Sequence, residues 1–201
     1  MGIIVKGSES GQRQLPPSDN HVARCVKLVH IGSIYDEKYD KLRNQVIITW
    51  ELPNELAKFK DVEEPFVVSK TYTMSLGEKS TLRKDLENWR GQKFSDKELE
   101  GFDITKLLGH PCMVQVVHSE DGKYANVSGV SKIPKGMTVP TQVNKSVYFS
   151  IDEYSDESFN RLHEWEKKKV EASSEYQKII KGASNVDSVA DVESSDDDLP
   201  F

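Results

Sequence analysis

Short runs in which apolar and polar residues alternate occupy much of the first two thirds of the chain, and each predicts a β-strand. Three runs come first, at about 21–31, 44–52 and 66–75. We expect Pro53 to end the second run, because proline cannot donate to a sheet. Two more runs, at about 111–118 and 124–133, flank the pair Asp121-Gly122, which is typical of a tight hairpin turn. The pattern therefore predicts five strands, of which the last two form a hairpin.

The stretch between the third and fourth strands has a helical pattern instead. One helical stripe contains Leu82, Leu86 and Trp89. Gly91 can end this helix, because glycine readily takes the left-handed conformation of a helix end. Further along, Ser95 and Glu98 have the spacing of a capping box, and Asp103 can cap another turn. These signals predict a helical connection between the third and fourth strands.

The resulting order, β-β-β-α-β-β, is that of the oligonucleotide-binding (OB) fold. This fold is a five-stranded Greek-key barrel, here with its helical insertion between strands three and four. The order predicts a mainly β protein with minor α content, and an SH3-like or split α+β domain fits it as well. In the fifth strand, Gly129 indicates a bulge or a bend of the barrel.

The chain divides into four predicted regions. Residues 1–20 are polar and contain Pro16-Pro17, which suggests a flexible arm, and residues 21–150 hold the predicted OB-fold domain. Within 151–181 we predict a C-terminal helix at about 156–180, preceded by a sixth strand or an extended arm over 147–154. The residues 182–201 are poor in apolar side chains and acidic, so we predict a disordered tail.

The charge of the chain is concentrated in this tail. The whole sequence has 27 basic and 33 acidic residues, for a net charge of −6. Six acids and no base follow Lys181, so the rest of the chain is balanced at 27 against 27. Such asymmetry suggests that the tail is an interaction segment.

The sequence contains no recognisable catalytic or metal-binding motif. The five histidines are scattered, and the two cysteines, Cys25 and Cys112, lie in apolar strand-like runs, which is typical of reduced, buried thiols in a cytosolic protein. No apolar run is long enough to span a membrane. We therefore expect a cytoplasmic, non-enzymatic protein with no cofactor, no metal site and no membrane partner.

Aromatic and basic residues mark a possible nucleic-acid groove. In an OB fold the groove is formed by the loop after the first strand, the second and third strands, and the loop between strands four and five. The candidates there are Tyr35, Tyr39, Lys41, Arg43, Trp50, Lys70 and Tyr72. Because a lysine is not expected to face a core, Lys70 places its neighbour Tyr72 on the ligand side. Single strands are bound by this combination of stacking rings and cations. Trp50 and Phe66 fit a core equally well, and the loop tyrosines fit ordinary packing.

The last residues provide the most specific motif. The ending Asp196, Asp197, Asp198, Leu199, Pro200 and Phe201 closely resembles the acidic tip of bacterial single-stranded DNA-binding proteins, with Leu199 in place of isoleucine. In that family the tip docks on replication, recombination and repair proteins. The resemblance implies that Phe201 enters an apolar pocket, that its α-carboxylate meets an arginine, and that the aspartates meet a basic rim.

The body resembles bacteriophage-encoded members of this class, in which an OB core has a similar tail. This resemblance implies a protein that coats single-stranded DNA in the cytoplasm of a bacterial host and recruits replication or recombination proteins, with possible homo-oligomers. The alternative is a protein-interaction adaptor that mimics the host tip. The missing acid and metal motifs argue against a small nuclease or hydrolase.

Overall fold

The structure is a computed structural model that describes residues 14–59 and 62–187. Most of the predicted N-terminal arm, and residues 188–201 of the tail predicted to be disordered over 182–201, lie outside the described residues, whereas residues 182–187 belong to a helix. In the part of the chain that the structure describes, no helix combines the length and the apolar character needed to cross a membrane.

The protein is mainly β. The strands are β1 (Asn20–Asp36), β2 (Lys41–Phe59), β3 (Val62–Thr73), β4 (Pro111–His118), β5 (Ala125–Ser131) and β6 (Val147–Ser150). The helices are α1 (Thr81–Arg90), α2 (Asp96–Glu100), α3 (Asp156–Asn160), α4 (Glu164–Glu171) and α5 (Ser174–Asp187). The strands form one antiparallel sheet in the order β3-β2-β1-β4-β5, and β6 also pairs with β1.

The ladder between β4 and β5 contains the irregularity predicted at Gly129. Gln115 lies opposite Gly129, whereas the next residue, Val116, lies opposite Val127. Ser128 therefore has no residue opposite it, which is the definition of a β-bulge. The prediction that Gly129 marks a bulge is confirmed.

The strands β1 and β2 are longer than predicted. The sequence predicted a polar loop over residues 32–43, but the strands extend to Asp36 and begin again at Lys41, so that most of this stretch is a hairpin. Polar residues there hid the strand pattern, because both faces of the end of a hairpin can be solvated and no alternation is required. The prediction that Pro53 ends β2 is also wrong, since the strand continues to Phe59.

The chain forms two compact units. The first contains the residues up to Leu28 together with Ile47–Tyr148, and the second contains Val29–Val46 together with the chain from Phe149 onward. Both β1 and β2 contribute residues to each unit. The hairpin between them is thus grouped with the C-terminal helices, a grouping different from the predicted division at residue 150.

The first unit has its core between the sheet and α1. Leu82, Leu86 and Trp89 are buried, and Gly91 closes the helix with a φ of 69°, which confirms the predicted stripe and cap. The capping box of Ser95 and the cap of Asp103 are also present. Cys25 and Cys112 are free and buried as predicted, and burial raises the pKa of Cys25 to about 12.

The second unit contains three helices where the sequence predicted a single helix at about 156–180. A capping hydrogen bond marks each new start: the Ser155 side chain caps α3 and the Ser173 side chain caps α5, whereas before α4 the Glu166 carboxylate accepts the backbone N–H of His163. Such caps favour a helix start over a continuing helix. Buried apolar residues that include Phe159, Leu162 and Val170 form the core of this unit.

A close approach in the second unit requires glycine. Gly32 has a φ of +96°, and a Cβ atom at this position would lie 2.6 Å from Oε2 of Glu175. The same oxygen accepts the backbone N–H of Ser33 at 2.7 Å. Any side chain at position 32 would therefore displace the carboxylate that binds the hairpin backbone.

Candidate nucleic-acid interface

The hairpin between β1 and β2 presents two exposed tyrosines among basic residues. Tyr35 and Tyr39 are 54% and 53% exposed. The guanidinium carbon of Arg43 lies 4.0 Å from the centre of the Tyr39 ring, and Nζ of Lys38 lies 5.3 Å from that centre. Lys41 is exposed beside them. We refer to Tyr35, Lys38, Tyr39, Lys41 and Arg43 as the hairpin surface.

Two aspartates shape the turn of this hairpin. Asp40 has a φ of 49°, a left-handed conformation that aspartate tolerates better than most residues. The carbonyl oxygen of Asp36 accepts the N–H of Tyr39 at 3.2 Å. The Tyr35 hydroxyl donates to the Asp40 carboxylate, and this hydrogen bond raises the pKa of Tyr35. Local polar contacts therefore position both rings at the end of the hairpin.

The charges of the hairpin cancel. Between residues 36 and 43 there are three acids and three bases, namely Asp36, Glu37 and Asp40 against Lys38, Lys41 and Arg43. One of these pairs is direct, because Nε of Arg43 lies 2.9 Å from Oδ2 of Asp36. The hairpin surface therefore offers stacking rings and individual cations, without a strong net positive field.

The turn between β4 and β5 presents a tyrosine that the sequence analysis did not name. Tyr124 is 60% exposed and follows Lys123, whose Nζ lies 3.6 Å from Oδ2 of Asp121. The N–H of Ser119 donates to the carbonyl oxygen of Tyr124 at 2.9 Å and closes the turn. The sequence did contain a signal for Tyr124. An OB fold uses the loop between its strands four and five in the groove, and in the corresponding turn of this chain an aromatic residue follows a lysine.

Lys70 and Tyr72 are placed differently from the prediction. Both belong to β3, and Tyr72 is only 3% exposed. Nζ of Lys70 and the hydroxyl of Tyr72 both donate to Oδ2 of Asp85 on α1, each at 2.8 Å. Lys70 is half-buried and faces the helix, because a buried carboxylate there compensates its charge. Neither residue belongs to an exposed groove in this structure.

Trp50 also lies in the interior. Its side chain is 1% exposed, and its ring centre lies 6.1 Å from that of Trp89 on α1. A ring with no exposed face cannot stack on a base. Of the seven predicted DNA-binding residues, four belong to the hairpin surface: Tyr35, Tyr39 and Lys41 are exposed, and Arg43 is half-buried.

The sequence contained one signal for the interior role of Lys70. Asp85 lies three residues after Leu82 and one residue before Leu86, on the same face of α1 as the apolar stripe. A carboxylate on that face requires a partner, because an unpaired buried charge is costly. Burial raises the pKa of Tyr72 far above its usual range, and the charge of Asp85 raises it further.

The predicted partner-binding residues, Asp196 to Phe201, lie outside the described residues. The comparisons with known proteins add no further assignment. No protein-family model matches the chain, and neither the curated proteins nor the solved structures contain a match to it.

Proposed function

We propose that the protein binds single-stranded DNA, with little preference for sequence, through the hairpin surface. The observation that supports this proposal is the pair Tyr35 and Tyr39, each more than half exposed and accompanied by Lys38, Lys41 and Arg43. Exposed rings can stack on any base, and neighbouring cations can follow the phosphates. Neither ring is needed for a core, since both stand at the end of the hairpin.

The strand order supports an OB-fold barrel as the scaffold. In the order β3-β2-β1-β4-β5 the outer strands are β3 and β5, and parts of these two strands lie near each other with α1 beside both. A sheet whose edge strands approach each other in this order has the connectivity of a partly open OB barrel. We therefore propose the OB assignment together with the function.

The C-terminal segment supports a second role, the recruitment of partner proteins. Asp196–Phe201 resembles the partner-binding tip of bacterial single-stranded DNA-binding proteins, and we propose that it recruits replication, recombination or repair proteins. In a pull-down from bacterial lysate, Phe201→Ala should remove most partners and leave DNA binding intact, because buried aromatic anchors dominate small interfaces. An unchanged partner set would contradict the recruitment role.

A titration tests the DNA-binding proposal directly. Fluorescent oligo-dT and a duplex of equal length are titrated with the protein at two salt concentrations. We expect tighter binding to the single strand and weaker binding at the higher salt, because each neutralised phosphate of a single strand adds about −0.7 to the slope of log K against log salt. Equal affinity for both forms, or no binding, would overturn the proposal.

A second function is favoured by the charge balance of the hairpin. An adaptor that binds a protein through this surface needs no net positive charge, and Leu42 beside it is 56% exposed. The two functions differ in the oligo-dT titration, because an adaptor would show no binding to DNA while Phe201→Ala would still remove partners.

A further inference from the structure

A cavity of about 440 Å³ in the first unit is not used by the proposed function. It lies between the end of α1, the 3-10 turn at Ile104–Leu107, the start of β4 and the chain after β5. Its apolar lining includes Leu107, Ile133 and Val139. Trp89 also lines it, but its Nε1 donates to the carbonyl oxygen of Pro111 at 2.8 Å, which fixes the ring in the wall. We refer to this cavity as the α1 pocket.

The rim of the α1 pocket is basic. Arg90, Lys106, Lys132 and His110 line it, and none of the ten described residues around it is acidic. Lys106, Lys132 and His110 are exposed. Two acids contact residues of the rim: Glu98 is paired with Arg90, and the pKa of Asp103 is lowered by its hydrogen bonds with Thr105 and, less, by the charge of Lys106.

Arg90 retains an unused donor. Its guanidinium carbon lies 4.6 Å from the ring centre of Phe94 and 5.3 Å from that of Phe102, and one of its nitrogens binds Glu98. The other terminal nitrogen, Nη1, is buried and has no hydrogen-bond partner among the residues that the structure describes. A buried donor without a partner is costly. Because solvent does not reach Nη1, a ligand acceptor would remove this cost once the guanidinium turns towards the pocket.

We propose that the α1 pocket binds the segment Asp196–Phe201 of a second copy of this chain. The segment contains three aspartates followed by Leu-Pro-Phe, and the pocket combines a basic rim with an apolar lining. The aspartates meet Lys106 and Lys132, the apolar residues fill the space beside Leu107 and Ile133, and an oxygen of the segment accepts from Arg90. This inference does not depend on DNA binding.

A peptide fits the α1 pocket better than a nucleic acid does. A DNA strand could use the lysines of the rim through its phosphates, but it would need an exposed ring for its bases. Trp89 is 8% exposed, and Phe102 is partly covered by Arg90. An acidic segment with apolar residues uses the rim and the lining together.

The chain after Asp187 can reach a neighbouring molecule. Residues 188–201 comprise 14 positions, and a fully extended chain spans at most about 3.3–3.6 Å per residue, or roughly 50 Å. This reach exceeds the size of one small domain, so a tip can connect two copies without contact between their bodies.

Fluorescence polarisation with a labelled peptide tests the pocket. The peptide SSDDDLPF, residues 194–201, is titrated with full-length protein carrying Leu199→Ala and Phe201→Ala, so that the protein's own segment does not compete. We expect saturable binding, and we expect Lys106→Glu with Lys132→Glu to weaken it by about tenfold or more, because like charges then face each other. A peptide with alanine in place of phenylalanine should also bind more weakly.

A matched control separates the pocket from general electrostatics. Lys58→Glu with Lys79→Glu changes the net charge equally at two exposed lysines outside the pocket lining. We expect this control to bind the peptide within about twofold of the parent. Equal loss in both double variants, or no binding by the parent, would overturn the proposal. The proposal would also be overturned if the Lys106→Glu, Lys132→Glu protein lost its binding to oligo-dT but kept its binding to the peptide. The pocket would then belong to a DNA-binding surface.

Sedimentation velocity tests whether the segment bound in the α1 pocket comes from a second copy of the chain. The average mass of the intact protein should rise with its concentration, and the free peptide should reverse this rise. The Phe201→Ala protein and the Lys106→Glu, Lys132→Glu protein should both remain smaller at the same concentration. If the peptide binds but the intact protein does not self-associate at any concentration, a second copy is not the occupant.

Discussion

Among the described residues, a cation that is paired with an aspartate also lies over a tyrosine ring at two places, once in each unit. The inner trio consists of Tyr72, Lys70 and Asp85, and the outer trio consists of Tyr39, Arg43 and Asp36. The basic nitrogen and the carboxylate oxygen are 2.8 Å apart in the inner trio and 2.9 Å apart in the outer one. In both, the cation lies over the tyrosine ring.

The two trios differ in exposure, and exposure determines what each can do. Asp85 and Tyr72 are 6% and 3% exposed, whereas the Tyr39 ring is 53% exposed. A buried ion pair is costly to break because the remaining charge loses its partner in a poorly solvated place. The outer pair is better solvated at its carboxylate, because the Asp36 side chain is 26% exposed against 9% for Asp85. It therefore contributes less to stability, and its exposed ring remains available for a ligand. The same residue types therefore support the fold in one unit and a candidate binding surface in the other.

The largest expected effect comes from removing the inner carboxylate. Asp85→Asn keeps the size of the side chain but leaves Lys70 without its ion pair, so we expect the free energy of unfolding to fall by about 3 kcal/mol. Asp36→Asn is the matched change in the outer trio and should lower it by about 0–1 kcal/mol. Urea denaturation of both variants measures the difference. Equal losses would mean that exposure does not distinguish the trios.

The next effect concerns DNA binding and should appear only in the outer trio. Tyr39→Ala removes an exposed ring, so we expect it to weaken binding to oligo-dT by about 1–3 kcal/mol without loss of stability. Tyr39→Phe keeps the ring and should bind almost like the parent. Tyr72→Phe, the control from the inner trio, should not change DNA affinity. If Tyr39→Ala binds like the parent, the interface is elsewhere.

The third effect is a pH dependence that belongs to the inner trio. Burial and Asp85 raise the pKa of Tyr72 above its ordinary value of about 10. Above that pH the unfolded tyrosine loses its proton while the folded one keeps it, so the unfolded state is favoured. Stability should fall by about 1.4 kcal/mol for each pH unit above about 10. Denaturation of the parent and of Tyr72→Phe between about pH 9 and 11 measures how steeply stability falls with pH in each protein. An equally steep fall in both proteins would contradict the assignment of this pH dependence to Tyr72.

The smallest expected effect comes from removing the ion-pair partner of Arg43 in the outer trio. Asp36→Asn removes one negative charge and the partner of Arg43, so oligo-dT should bind slightly more tightly. The slope of log K against log salt should steepen by at most about 0.7, which corresponds to one added phosphate contact. Glu171→Gln, an exposed change of equal charge on α4, is the control. A similar gain in this control would mean that only net charge matters.

Local signals predicted the parts of the fold that depend on nearby residues. The stripe of Leu82, Leu86 and Trp89 predicted α1 because all three contact the core through one helix face. The capping box at Ser95 was also predicted, since its partner is three residues away. Alternation correctly placed Lys70 and Tyr72 on the same face of β3. Alternation cannot show whether that face points to the core or to solvent. The charge of Lys70 suggested solvent, whereas the face points to Asp85 on α1.

The features that the sequence did not show depend on distant contacts. Lys70 is compensated by Asp85, fifteen residues later and on another element. The grouping of the hairpin with the C-terminal helices rests on contacts such as that between Ser33 and Glu175, 142 residues apart. No periodicity within a strand or a helix contains this information. The candidate site was therefore half predicted: the loop tyrosines remain exposed, whereas Trp50 and Tyr72 are buried and Lys70 is paired with Asp85.

The second unit consists of two separate segments of the chain, and this limits how the protein can be truncated. A polypeptide expressed from residues 21–148 would keep the hairpin with Tyr35 and Tyr39 but would lack every helix that belongs to the same unit. Ser33 would lose the carboxylate of Glu175, and His30 would lose Ser150, whose hydroxyl lies 3.1 Å from its ring nitrogen. Failure of such a fragment to bind DNA would not count against the hairpin surface, because the contacts that hold the hairpin would be missing as well. A useful minimal fragment must retain the polypeptide through α5.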